Sequence, residues 1–232
     1  VTVAKNGTNT EITVTTSSLQ GYKIYEQGDN FVVKVGNPRS IYKNILVLDA
    51  GHGGHDPGAQ NKGKNEKDIT FKILYTYMKD YFSSNAPDIK VYWTRTNDSY
   101  ITLSDRAKFA KTVGADAFIS LHMNSASNSS ANGTEVYYSV SNNSGSFSGI
   151  TSKTMANLFR SQLLEDLGTK NRGTKTAGYY VINSVPAILI ELGFISGSSD
   201  FSRLTSENFQ KKAAKSLYTG IVKMFSLYQT GR

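Results

Sequence analysis

Three places in the chain set a group able to do chemistry directly behind an apolar run. Ile45-Leu46-Val47-Leu48 leads through Asp49-Ala50-Gly51 to His52, Phe118-Ile119-Ser120-Leu121 leads to His122, and Ile188-Leu189-Ile190 leads to Glu191. Runs this apolar read as buried, parallel strands. Sites of open α/β sheets lie just beyond the carboxyl ends of strands, so parallel pairing brings all three side chains to one edge. Glu66 opens the helix after the His52 loop, and such helices begin at that edge too. Gly51, Gly53 and Gly54 let the backbone come close to whatever His52 touches.

Two imidazoles and two carboxylates at one site have a specific use. Two histidines and one carboxylate form a familiar zinc set with a fourth position left for water. Zinc lowers the pKa of that water from about 16 to about 7. A second carboxylate that is not a ligand can accept the proton and pass it to a leaving amine. The parts fit metal-assisted amide hydrolysis. Each also has a plainer explanation: a buried histidine is commonly a hydrogen-bonded core residue, Glu66 suits the positive end of a helix dipole, and Gly53-Gly54 suits an ordinary turn. Glu191 is harder to dismiss, because a carboxylate behind apolar residues is costly to bury without a partner or a task. His55 makes a His-x-x-His pair with His52, yet it precedes the turn Asp56-Pro57-Gly58 and is expected at the surface near the cleft. Asp49 is expected to orient an imidazole rather than to bind a metal.

The elements that must position these groups alternate strand and helix from Ile41 onward. A helix is expected over residues 65–82, with Ile69, Ile73, Tyr77 and Tyr81 at four-residue steps. A strand follows over 88–94, and Thr102-Leu103-Ser104-Asp105 has the form of a capping box opening the next helix. Residues 115–121 and 185–190 supply further buried strands, 133–140 another, and 141–148 the composition of an exposed loop. Met155, Leu158, Phe159 and Leu163 share one helical face; Phe209, Ala213, Leu217, Ile221 and Met224 mark the last helix. The fold class is therefore α/β, a mostly parallel twisted sheet with helices on both faces. Residues 1–40 differ: short alternating runs at 11–15, 22–25 and 31–35 are separated by Asn6-Gly7, Gln20-Gly21 and Gly28-Asp29-Asn30. They read as a small antiparallel β appendage that needs the main body or a partner to cover it, leaving 41–232 as the catalytic domain.

Bulk properties narrow the function classes. The chain has 232 residues, a net charge of +8 and no cysteine, which excludes thiol nucleophiles, disulfides and thiolate metal sites. No run is long and apolar enough for a transmembrane helix, and no signal peptide opens the sequence, so Val1 reads as the start of a trimmed product. The charge calls for an anionic partner. Nucleic acid, a membrane face and an acidic wall polymer are the candidates, and no Lys/Arg block is dense enough to read as a nucleic-acid arm.

At this point the residues resemble a family, the zinc-dependent N-acetylmuramoyl-L-alanine amidases of the amidase-3 type. The resemblance rests on Leu48-Asp49-Ala50-Gly51-His52-Gly53-Gly54 with Asp56-Pro57-Gly58-Ala59, and on Asn65-Glu66-Lys67-Asp68. Thr94-Arg95-Thr96-Asn97-Asp98, Leu103-Ser104-Asp105-Arg106, Ser120-Leu121-His122-Met123-Asn124 and Arg172-Gly173-Thr174-Lys175 follow. Pro186-Ala187-Ile188-Leu189-Ile190-Glu191-Leu192-Gly193-Phe194 completes the set. The segments stand in family order from about Ile45 to Phe225. The resemblance implies zinc held by His52, Glu66 and His122, Glu191 as general base and acid, and peptidoglycan as substrate, cut between the lactyl group of N-acetylmuramic acid and L-alanine. It implies a secreted, wall-associated enzyme. Ala50 stands where many members have proline and Thr174 where valine is common. Some members insert a blocking helix after the second histidine; residues 125–132 are too short for one, so an open cleft is expected. Two rivals remain. A zinc carboxypeptidase or peptidase would use the same ligands, and a non-catalytic wall-binding regulator would need an incomplete site. The N-terminal strands could also dock a protein partner or a second copy.

Overall fold

The computed structural model describes residues 1–85, 88–143 and 147–232. The chain divides into two units, residues 1–41 and 42–232. The first unit holds two antiparallel ladders, β1 (Thr2–Asn6) with β2 (Asn9–Thr13) and β3 (Gly21–Gln27) with β4 (Asn30–Gly36), followed by the short helix α1 (Pro38–Ile41). The β1 strand escaped the sequence pattern because Thr2, Ala4 and Lys5 give it little alternation. Two strands cannot bury a face between them, and Ile24 and Phe31 remain 61% and 75% exposed.

The second unit is built on a six-stranded sheet. Its strands are β5 (Asn44–Ala50), β8 (Ile89–Trp93), β9 (Ala117–Asn124), β10 (Thr134–Tyr138), β11 (Asn171–Thr176) and β12 (Ala187–Phe194). A two-residue ladder of β6 (Gln60–Asn61) and β7 (Lys64–Asn65) lies in the loop between β5 and the first helix. The sheet order is β11-β10-β12-β9-β5-β8. All neighbours pair in parallel except β10 and β12, which are antiparallel. The three apolar runs thus sit side by side in the middle of the sheet, where both faces are covered.

Alternation along β5 divides the core. Leu46, Leu48 and Ala50 face a layer that includes α5 (Ser152–Leu167) and α7 (Glu207–Leu227); Ile45 and Val47 face α4 (Leu103–Thr112) and the short turn at Tyr180–Ile182. Helices α5 and α7 approach closely where Gly220 lacks a side chain: a Cβ there would lie 3.0 Å from the Phe159 ring. The capping box is present, with Thr102 Oγ1 accepting from Asp105 N at 3.1 Å and donating to Asp105 Oδ2 at 2.7 Å. A further helix, α6 (Ser198–Leu204), joins β12 to α7.

The helix expected over 65–82 is not continuous. It runs as α2 (Glu66–Phe71), a π turn (Lys72–Thr76) and α3 (Lys79–Asn85). Tyr77 N bonds back to Lys72 O across five residues, at 2.9 Å. That extra residue rotates the chain, so Met78 and Phe82 are buried where Tyr77 and Tyr81 were expected to be. The exposed loop expected at 141–148 lies partly outside the described residues. Residues 125–133, between β9 and β10, contain bends and turns but no helix.

Candidate metal centre

The loop after β5 is shaped by its backbone. Gly51 N donates to Leu121 O on the neighbouring strand at 3.1 Å, and Gly53 and Asp56 exchange two backbone bonds of 3.0 and 3.1 Å. His52 sits at φ 62°, a left-handed conformation rare for a side-chain-bearing residue and found where surroundings impose it. Two buried arginines do the imposing. Arg95 donates from Nε to Ala50 O at 3.0 Å and from Nη2 to Gly51 O at 3.2 Å. Arg106 donates to Ala50 O at 2.9 Å and to His52 O at 2.7 Å. Arg106 is in turn held by Asp49 at 2.5 Å, whose carboxylate also accepts from Thr94 at 2.6 Å and Ser120 at 2.7 Å.

This arrangement corrects the role expected for Asp49. It has the same parity along β5 as Ile45 and Val47 and turns toward α4, so it bonds Arg106, not an imidazole. The partner of His52 is Asp56, with Nδ1 and Oδ2 2.8 Å apart. Asp56 is itself fixed by accepting from Gly58 N at 3.0 Å. An imidazole that gives its Nδ1 proton to a carboxylate keeps Nε2 as a free lone pair.

The Nε2 atom of His52 lies 3.1 Å from Glu66 Oε1, and His122 Nδ1 lies 2.8 Å from the same oxygen. One ligand atom from each of His52, Glu66 and His122 falls within a common 4.8 Å. Glu66 is buried, and its carboxylate is anchored by Met123 N on Oε1 and Ala59 N on Oε2, both at 2.9 Å. Missing side chains make the room. A Cβ at Gly51 would lie 2.3 Å from His122 Cε1, and one at Gly58 would lie 2.6 Å from both Glu66 Oε2 and His52 Cδ2.

Burial works against charge on His52, but the hydrogen bond and charge of Glu66, joined by Asp56, hold its pKa up to about 9. Burial would raise Glu66, and the two imidazoles outweigh it, keeping the carboxyl well below its ordinary range. Two nitrogens and one carboxylate oxygen converging on a point suit a divalent cation, zinc in particular. Glu191 stands one strand further along, the register partner of His122 on β9. Its Oε2 is buried and has no hydrogen-bond partner among the described residues. Burial, reinforced by the nearby Glu66 and Glu135 charges, pushes Glu191 up to about 7 against the opposing effect of the histidines.

The four groups singled out from the sequence are thus neighbours. His55 is not among them; its ring packs on Tyr100, centroid to centroid 4.2 Å. Sequence reasoning assigned no part to Asp56, Arg95 or Arg106. The signal was present in arginines placed just behind a strand and in the first turn of a helix, where buried guanidiniums need carbonyl partners.

Comparison with known proteins agrees with this geometry. A crystal structure of N-acetylmuramoyl-L-alanine amidase from Clostridium difficile 630 superposes with a TM-score of 0.73 at 30% identity, covering 79% of this chain and 97% of that one. An uncharacterized Bacillus subtilis protein, YqiI, is 38% identical over 183 residues, covering 78% of this chain and 84% of its own length. The N-acetylmuramoyl-L-alanine amidase LytC of the same organism is 34% identical over 187 residues, 80% of this chain but only 36% of LytC. The family model Amidase_3, N-acetylmuramoyl-L-alanine amidase, matches residues 46–223. This chain belongs to that family.

Proposed function

We propose that this chain is a zinc-dependent N-acetylmuramoyl-L-alanine amidase, cutting the amide between the lactyl group of N-acetylmuramic acid and L-alanine in peptidoglycan. The observation that carries this reading is the convergence of His52, Glu66 and His122 within 4.8 Å beside the unpartnered Glu191 oxygen. His52, Glu66 and His122 hold the metal. A bound zinc ion supplies the Lewis acidity that polarises the scissile carbonyl and makes water nucleophilic near neutral pH. Glu191 takes the proton from the attacking water and delivers it to the leaving amine nitrogen. Its buried oxygen has no competing donor among the described residues, which suits a base that must accept a proton from substrate water. Asp56 orients His52, while Met123 N and Ala59 N orient Glu66.

Family membership and the wall amidases among the relatives support peptidoglycan as substrate, and the net charge of +8 suits acidic wall polymers. The reading places the enzyme outside the cell at the wall, as an autolysin-type hydrolase. Among the described residues no helix is long and apolar enough to cross a membrane. The absence of a helix over residues 125–133 supports a cleft open without an activator. Residues 1–40 are read as an appendage to the catalytic domain at 41–232, the remnant of a targeting module.

Glu191→Gln tests the assignment. The variant is expected to retain zinc by metal analysis while hydrolysis of muropeptides, followed by mass spectrometry, falls at least about a hundredfold. Retained turnover would refute the role of Glu191. Cleavage of ordinary peptides with intact muramoyl-alanine bonds would favour the peptidase reading.

A further inference from the structure

Beyond Glu191 the sheet carries a second group of ionised side chains that the hydrolysis does not use. Glu135 on β10 is the cross-strand partner of Glu191 and is buried. Asn124 Nδ2 and Tyr137 Oη donate to its Oε1 at 2.6 and 2.9 Å. Arg172 Nε and Lys175 Nζ, both from the edge strand β11, donate to its Oε2 at 3.0 and 2.5 Å. The β10–β11 register slips between Thr134 and Val136, which sets Arg172 and Gly173 opposite Glu135. Gly133 lets the start of β10 lie close to the chain entering β11, since a Cβ there would lie 2.4 Å from Lys170 O and 3.0 Å from Arg172 Cγ.

One buried carboxylate needs one cation, and here it has two. The group carries a surplus positive charge, and its cationic side chains are 31% and 38% exposed. The Arg172 guanidinium lies over the Phe194 ring at 4.7 Å and spends only Nε on Glu135. Its Nη1 and Nη2 donate to no acceptor among the described residues. A planar fork clamped on one side and open on the other matches a carboxylate in two parallel hydrogen bonds.

The geometry points to Arg172 and Lys175 as a subsite for a carboxylate on the peptide portion of the substrate. This rests on the amidase reading above, and adds which part of the substrate is read and where. Strands β12, β10 and β11 are consecutive neighbours. At about 4.8 Å per strand, the backbones of Arg172 and Lys175 stand about 10 Å from that of Glu191, and their side chains reach back toward it to meet Glu135. An extended peptide advances about 3.4 Å per residue. The carboxylate is therefore borne within about three residues of the amide that is cut. Neutral sugar offers hydroxyl and acetamido oxygens but no charge to pair with these cations.

Paired muropeptides carrying a free acid or a carboxamide at those stem positions test the proposal on the zinc-loaded enzyme. The wild type is expected to show a KM about tenfold higher for the carboxamide, with kcat within about twofold. Arg172→Gln should raise KM for the acid to that of the carboxamide, and Lys175→Gln should do so in part. Each substitution leaves Glu135 one cation, and thermal unfolding verifies the fold. Equal KM values for the two substrates in the wild type would overturn the subsite. Calorimetric titration of Glu191→Gln with both compounds reads the same preference without turnover: the acid should bind about tenfold more tightly, and equal affinities would again overturn the subsite. Wild-type protein that binds the acid preferentially yet cleaves neither compound would sustain the subsite and refute the amidase reading.

Discussion

Replacing Asp49 with Asn would leave the Arg106 guanidinium buried beside a neutral amide. Asp49 and Arg106 are 1% and 3% exposed at their side chains, and stripping the charge from one member of a buried pair costs about 3 kcal/mol or more. Chemical denaturation of Asp49→Asn should show a loss of that size. Burial alone would raise the pKa of Asp49, but the Arg106 charge and the bonds from Thr94 and Ser120 bring it below its ordinary value. A carboxyl whose folded pKa is depressed stabilises fully above its unfolded pKa, about 3.9, and that stability is lost as pH falls through the folded value. Acid should therefore unfold the wild type with a steeper pH dependence than the variant. Much of the site at this scale was legible in the sequence, because His52, His122 and Glu191 each follow an apolar run and Glu66 opens a helix. The partner of Asp49 was not. Strand parity says which face a residue joins, but not that the following loop turns its imidazole to a different acid.

At the scale of elements, the loop–strand contact between Gly51 and His122 is a tight requirement of the site. With a Cβ at Gly51 only 2.3 Å from the His122 ring, Gly51→Ala forces that ring aside. Zinc affinity, measured by competition with a chelator, should fall about 10–100-fold, as when a ligand loses its orienting support, while far-UV circular dichroism stays native. Unchanged affinity would show that the ring has room the geometry denies it. The buried strands were readable because both faces of β5, β9 and β12 are covered. β11 was not, since Asn171-Arg172-Gly173-Thr174-Lys175-Thr176 has no apolar residue. It is a strand because it lies at the sheet edge, where one face of pairing suffices and long polar side chains tolerate exposure. The reversed direction of β10 likewise leaves no trace in a periodic pattern, and the π turn shows only as a burial step from Ile69 to Leu74.

Across the whole molecule, charge and apolar exposure are unevenly shared. Residues 1–41 carry Lys5, Lys23, Lys34 and Arg39 against Glu11, Glu26 and Asp29, so nearly all of the +8 belongs to the second unit. The α/β class followed from strand–helix alternation alone, since few architectures accommodate it. The sparse patterning of the first forty residues allowed only its ladders to be anticipated.

The two arginines that grip the carbonyls of residues 50–52 have a consequence for the life of the protein. The bend that carries His52 is fastened by internal cations, so under the zinc reading proposed above the ion meets a seat already shaped. Stripping the metal with a chelator should silence hydrolysis yet leave cooperative thermal unfolding in place, and added zinc should restore activity without a refolding step; collapse on chelation would contradict this. If zinc is the ion, as proposed above, a chain fastened in that way keeps its shape without it and gains activity only on meeting it.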